Sequence, residues 1–145
     1  MGKELGEIRQ TEREGVIFLI YRNGKVLLEK RTTPDKVAYG YTIIPGGKID
    51  RSQGESAEKA AEREILEECG VGVKNLIPLD TFLHVTMSNM LYRTTAFLVT
   101  DYDGEIKNIE GKSEQIWVDI DRADKVLHFA DSRYIVRLAK DYLSL

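Results

Sequence analysis

One stretch constrains this chain more than any other: "GVIFLIYRNGKVLLEKRT", residues 15 to 32. Its "NG", at 23 and 24, lies between two runs of β-branched, aliphatic and aromatic residues. Both central residues of a type I′ turn need φ above zero, which asparagine and glycine tolerate best. The stretch therefore predicts a hairpin, with one strand over "GVIFLIYR" and its partner over "KVLLEKRT". Strands this apolar need covering layers, so the rest of the chain is read for further strands and for helices to pack on them.

Those segments follow in order. The polar "TPDKVAYG" leads to "YTIIPGGKID", a short strand broken by Pro45 and a glycine pair. "ESAEKAAEREILEECG" is the clearest helix, with Ser56 as N-cap and Gly70 placed to end it in the left-handed region. Two long strands are expected over "LIPLDTFLHVTM" and "MLYRTTAFLVTDY", with "SN" as the bend between them, and a further strand over "EQIWVDI". "DSRYIVRLAKDYLSL" has helical spacing at Ile135, Leu138 and Leu143. Strands, helix, strands, helix in 145 residues predict a single mixed α/β domain over 1–145, without repeats or linkers.

Charge narrows the partners. A net charge of −3 gives no polycationic surface, so a nucleic-acid polymer is not expected, whereas a small phosphorylated ligand needs only a local basic pocket. The single cysteine, Cys69, permits no internal disulfide and fits a reducing compartment. Apolar runs such as "GVIFLIY" are too short to cross a bilayer. The leader "MGKELGEIRQTEREG" carries both charge signs and no apolar core, unlike a secretory signal. A cytoplasmic protein with no membrane partner is expected.

The helix poses its own question. "AEREILEECG", residues 61 to 70, gathers Glu62, Glu64, Glu67 and Glu68 around one arginine. Glu64, Glu67 and Glu68 fall within an arc of about 100° on one helix face. Like charges four apart cost a few tenths of a kcal/mol per pair. One explanation is a solvated surface helix whose charge Lys59 and Arg63 offset. The other is a hard divalent cation such as Mg²⁺, which takes oxygen ligands, keeps waters and bridges carboxylates to phosphates.

Taken together, "PGGKIDRSQGESAEKAAEREILEECGV" closely resembles the Nudix box of the Nudix hydrolase (MutT-like) family. That pattern is Gly, five residues, Glu, seven residues, then Arg-Glu-aliphatic-x-Glu-Glu-x-Gly-aliphatic. Here Glu55 and Arg63 keep the seven-residue spacing, and Arg63, Glu64, Ile65, Glu67, Glu68, Gly70 and Val71 fill the remaining positions. The box spans residues 47 to 71 with one departure: seven residues separate Gly47 from Glu55, so the loop "KIDRSQG" is two longer than the pattern. The longer loop leaves the placement of Glu55 relative to the helix open. "VLLEKRTTP…YTIIPGG" resembles the family's approach to the box.

The resemblance implies a Nudix-type α/β/α sandwich with a mixed β-sheet, and an enzyme that hydrolyses a nucleoside diphosphate linked to another group. It implies Mg²⁺, with Mn²⁺ as a possible substitute, held by Glu67 and Glu68. Glu64 would be either a ligand or the general base, and the Gly46 carbonyl would complete the shell. Arg63 would orient a glutamate. Glu114, in "KSEQIW", lies where relatives often supply a further acidic ligand or base, and reads equally well as a solvated turn glutamate. Arg31 and Lys48 are candidates for phosphate contact or plain surface charges. Cys69 reads as a small residue at the helix end, and His84 as a satisfied sheet residue.

For the substrate, "VLHFADSRY" faintly resembles the base-reading segment of oxidised-purine triphosphate pyrophosphohydrolases, which makes Phe129 and Asp131 candidate base contacts. The alternative is an ordinary helix entry with Asp131 or Ser132 as N-cap. "HVTMS" stands where ADP-ribose hydrolases often carry proline, and Tyr92 comes late for the marker of dinucleoside polyphosphate hydrolases. A nucleoside triphosphate is the expected substrate. ADP-ribose, nucleotide sugars, dinucleoside polyphosphates and a non-hydrolytic nucleotide sensor are the alternatives, and a homodimer stays open.

Overall fold

The Asn23-Gly24 turn forms with φ of 51° and 79°, yet the hairpin around it is brief. In the computed structural model, which describes residues 13–34 and 38–145, β1 (Arg13–Arg22) and β2 (Lys25–Arg31) share only the pairs Tyr21↔Val26 and Arg22↔Lys25. Most of the leader and residues 35–37 of "TPDKVAYG" lie outside the described residues. Beyond the turn the strands separate. β1 runs parallel to β6 (Leu91–Asp103) from Arg13↔Tyr92 to Ile20↔Val99, and β2 pairs antiparallel with β7 (Ser113–Asp119).

Two short strands enter the opening. β3 (Thr42–Ile43) pairs with β2 and β4 (Gly46–Lys48) with β1, and Phe18 N–H donates to the Pro45 carbonyl at 3.0 Å. β5 (Gly72–Val85) lies antiparallel along the other side of β6, with register irregularities near Asn75 and Asp80. The result is a seven-stranded mixed sheet.

A strand buried on both faces reads as a continuous apolar run, and β1 is such a strand. Val16, Phe18 and Ile20, with Leu27, Phe97 and Val99, pack against Ala60, Ala61, Ile65 and Cys69 of α1 (Ala57–Cys69). The alternate residues Leu19, Val26, Leu28, Ala96 and Leu98 pack with α2 (Ile120–Val126) and α3 (Ala130–Tyr142) through Ile120, Ala123, Ile135, Val136 and Ala139. Helices therefore cover both faces, as an α/β/α sandwich requires.

The caps of α1 are those expected: Ser56 accepts from Lys59 N–H, and Gly70, at φ 73°, donates to the Leu66 carbonyl. The entry to α3 differs. Its N-cap is Phe129, with no side-chain cap bond, so Asp131 and Ser132 are not caps: Asp131 stands exposed in the first turn and Ser132 is buried inside the helix. The short α2 was not anticipated; its first N–H, from Ile120, donates to Gly24 in the hairpin turn. Among the described residues no helix is long and apolar enough to cross a membrane.

Candidate active site

The glycine strand β4 lies pressed between β1 and α1. A Cβ on Gly46 would stand 2.1 Å from the Val16 carbonyl oxygen, and one on Gly47 would stand 2.1 Å from Glu64 Cδ. Only the absence of a side chain lets the helix carboxylate approach this closely. Gly47→Ala is expected to keep the fold while displacing Glu64, cutting turnover by on the order of 10²-fold. Circular dichroism beside initial rates would check it; unchanged rates would show that Glu64 is free to relocate.

Arg63 organises the carboxylates. Its Nε and Nη2 donate to Glu55 at 2.7 and 3.0 Å, its Nη2 also donates to the Lys48 carbonyl at 2.9 Å, and its Nη1 reaches Glu64 at 3.0 Å and Glu67 at 3.3 Å. With the longer loop, Glu55 still reaches Arg63 of the helix. The loop coils into a 3-10 turn over Arg51–Gln53, and Asp50 N–H donates to Glu55 at 2.9 Å. The Arg63 guanidinium, then the Asp50 amide, hold the Glu55 carboxyl down at about 2.

The three helix glutamates occupy different surroundings. The Glu64 side chain is 15% exposed, and burial raises its pKa against the pull of Arg63. Glu67 is half exposed beside the same guanidinium. Glu68 points into a cavity of about 170 Å³ lined by Glu29, Arg31, Gly46, Glu110, Ser113 and Gln115, among others. Burial first, then Glu29, Glu64 and Glu110, push its carboxyl up to about 8, with Arg31 opposing. Its Oε2 is buried without a hydrogen-bond partner among the described residues.

The last carbonyls of α1 are satisfied from the loop after β6. Lys107 N–H donates to Cys69 at 2.9 Å and Ile109 N–H to Glu68 at 3.0 Å, which brings Glu110 to the cavity. Glu114 is not brought there. It is exposed in β7 opposite Lys30, while its neighbours Ser113 and Gln115 line the cavity, and Ser113 Oγ donates to Glu29 at 2.8 Å. Strand alternation sends Glu114 to the other face. The acidic companions of Glu68 are Glu29 and Glu110. Glu29 left a trace in the sequence, two residues before Arg31 and so on the same strand face; Glu110 left none.

A larger cavity, about 570 Å³, adjoins the first and shares Glu29, Arg31 and Gly46 with it. Arg31 and Lys48 both line it. Farther along its wall are Phe82, His84, Tyr92, Phe129 and Asp131. Tyr41 stacks on His128 at 4.5 Å and tilts against Phe129 at 5.6 Å, and Thr42 N–H donates to His128 Nδ1 at 2.9 Å. His84 has its sheet partner, with Nε2 2.8 Å from Thr94 Oγ1, and burial lowers its pKa. Cys69 is buried, its thiol pushed up to about 12 by burial and by Glu68 and Glu29, so it is no nucleophile.

Among the described residues no three side chains of His, Cys, Asp or Glu form a ready-made metal cage. The donors nonetheless suit a hard cation. A buried carboxylate oxygen of Glu68 lacks any partner, Glu64 shares its helix face, and Gly46 lines the same cavity. Mg²⁺ needs only one or two carboxylates, taking its remaining ligands from water and substrate phosphate.

Residues 11–138 match the NUDIX domain. Among solved structures the chain is similar to a MutT Nudix hydrolase from Burkholderia pseudomallei, at 25% identity and TM-score 0.75, over 89% of this chain and 98% of that one. It is similar to a MutT structure reported for Aliivibrio salmonicida and Vibrio cholerae, at 25% identity and TM-score 0.72, over 90% and 99%. An ADP compounds hydrolase shares the fold, at 20% identity and TM-score 0.76, over 94% of this chain and 75% of that one. A domain match of that extent makes the chain a member of the Nudix family, and a Nudix pyrophosphohydrolase.

Proposed function

We propose that this enzyme hydrolyses a nucleoside triphosphate to the monophosphate and pyrophosphate, with Mg²⁺ as its ion and Mn²⁺ as a substitute, and that it works in the cytoplasm. One observation carries the reading: a cavity with aromatic walls runs into an acidic one, and Glu29, Arg31 and Gly46 belong to both. A ligand with a flat apolar end and a polyanionic end matches that pair. The solved relatives named MutT lean the same way.

Nudix hydrolases act on small nucleotides with divalent metal ions. The residues that would hold the ion are Glu68 and Glu67, with Glu64 as a further ligand or the base, and Gly46 beside them. When bound, such an ion neutralises phosphate charge and lowers the pKa of a coordinated water. The chain's own residues do the rest. Arg31 and Lys48 bind phosphate oxygens and fix the anhydride for in-line attack. Arg63, tied to Glu55, keeps Glu64 oriented. Phe129 offers a stacking face for the base and Asp131 an acceptor at its edge, where an oxidised purine would present an added N–H.

The test is pyrophosphate and phosphate release from ordinary and oxidised dNTPs, ADP-ribose, nucleotide sugars and dinucleoside polyphosphates, with and without Mg²⁺. Metal-dependent pyrophosphate release from triphosphates is expected. Turnover confined to ADP-ribose or dinucleoside polyphosphates would discard the substrate while keeping the chemistry. Ligand-induced stabilisation without turnover of anything would favour a sensor.

A further inference from the structure

We propose that Arg51, in the lengthened loop before α1, is a positioning residue that holds Glu55 on Arg63 and thereby leaves Arg63 Nη1 to orient Glu64. The inference rests on reading the α1 glutamates as the working set. A loop two residues longer than the family pattern has more conformations to lose. Here it folds into a turn in which Gln53 N–H donates to Asp50 and Gly54 N–H to Arg51, with Gly54 at φ 70°. Ser52 Oγ donates to Asp50.

The Arg51 side chain then ties this turn to the sheet. Arg51 Nε and Nη2 donate to the two carboxylate oxygens of Glu14 on β1, and Nη1 donates to the Glu55 carbonyl at 2.9 Å. The guanidinium thus joins the sheet to the residue before the helix cap. That residue is the one whose side chain occupies Nε and Nη2 of Arg63. If Glu55 drifted away, the Arg63 guanidinium would be free to pair more fully with Glu64 and Glu67, already at 3.0 and 3.3 Å. Fuller pairing would pull Glu64 off the single Nη1 contact that orients it and draw Glu67 onto the guanidinium.

Three donors in three fixed directions are a property of arginine that lysine lacks. Water competes for this contact, since the Arg51 and Glu14 side chains are 55% and 26% exposed. The expected consequence is therefore a loss of activity in a folded protein.

The experiment uses the full chain with Arg51→Ala, Arg51→Lys, Glu14→Gln and the Ala/Gln double substitution. Arg51→Ala is expected to lower kcat by about 3–10-fold with KM within about twofold. Arg51→Lys recovers only part of this. The double variant is expected to be no worse than Arg51→Ala, because both changes remove one interaction. In metal-free protein the Arg63 Nε–H NMR resonance should shift or broaden in Arg51→Ala. Unchanged kcat, additive losses, or a kcat loss with an unmoved Arg63 resonance would overturn the proposal. Should Arg51→Ala fail to fold, Glu14→Gln reads the same coupling with a smaller loss. The resonance needs no substrate, so a failed substrate assignment and a failed role for Arg51 remain distinct.

Discussion

Glu68→Gln should lower turnover by on the order of 10³-fold and yet make the metal-free protein more stable at neutral pH. The two effects share one cause. Glu68 stands among Glu29, Glu64 and Glu110 with a buried oxygen that no described residue satisfies. A group so placed is a good ligand and a poor structural element. Its carboxyl titrates near 8 in the fold against an ordinary value of 4.5 in the unfolded chain.

Between those values the native state holds a proton that the unfolded chain has released, so metal-free stability falls as pH rises through that window. The amide cannot ionise, and its variant should lack this slope, gaining up to about 4 kcal/mol at pH 8 relative to wild type. Chemical denaturation of chelator-treated protein from pH 5 to 9 measures it. Parallel slopes in the two proteins would refute the account.

Arg63→Ala should lose both activity and stability. The change removes the partner of Glu55, Glu64 and Glu67 and the donor to the Lys48 carbonyl. Three carboxylates are left facing one another. Allowing for an arginine side chain that is 35% exposed, a cost of roughly 2–3 kcal/mol is expected. For a chain of this size that is a fall in Tm of about 5–10 °C. Arg63→Lys should recover little, since an ammonium cannot bind Glu55 through two parallel bonds while reaching Glu64. The acid limb changes too. The stabilisation from the depressed Glu55 carboxyl is complete above the unfolded value and lost as pH falls towards about 2, and the variant should keep only the smaller part that the Asp50 amide supplies. Melting curves at pH 3 and pH 7 separate these outcomes.

What the sequence disclosed was local. The Asn23-Gly24 turn, the Ser56 and Gly70 caps, the long β5–β6 pair and the box spacing each depend on residues close together in the chain. The misses came from distance and parity. Nothing near β1 announces that it leaves β2 after two pairs to run beside β6. Glu110 joins Glu68 only because a loop folds back over the end of α1. Glu114 was assigned by nearness to the right region, and a single-residue alternation along β7 carried it to the wrong face. The longer loop left the place of Glu55 open, and Arg51 is the long-range anchor that a spacing rule cannot contain.

The separation of β1 from β2 also sets an order of assembly. β4, which carries Gly46 and Gly47, pairs with β1, and β1 gains most of its ladder from β6. During synthesis Ile17 must wait for Ala96 to emerge before its row of the sheet can close. The hairpin turn, the helix and its caps can form early, but the proposed catalytic surface is a late product of long-range pairing. Such nonlocal closure slows folding. A nascent chain stalled before β6 would hold the complete Nudix box in its sequence and no working site.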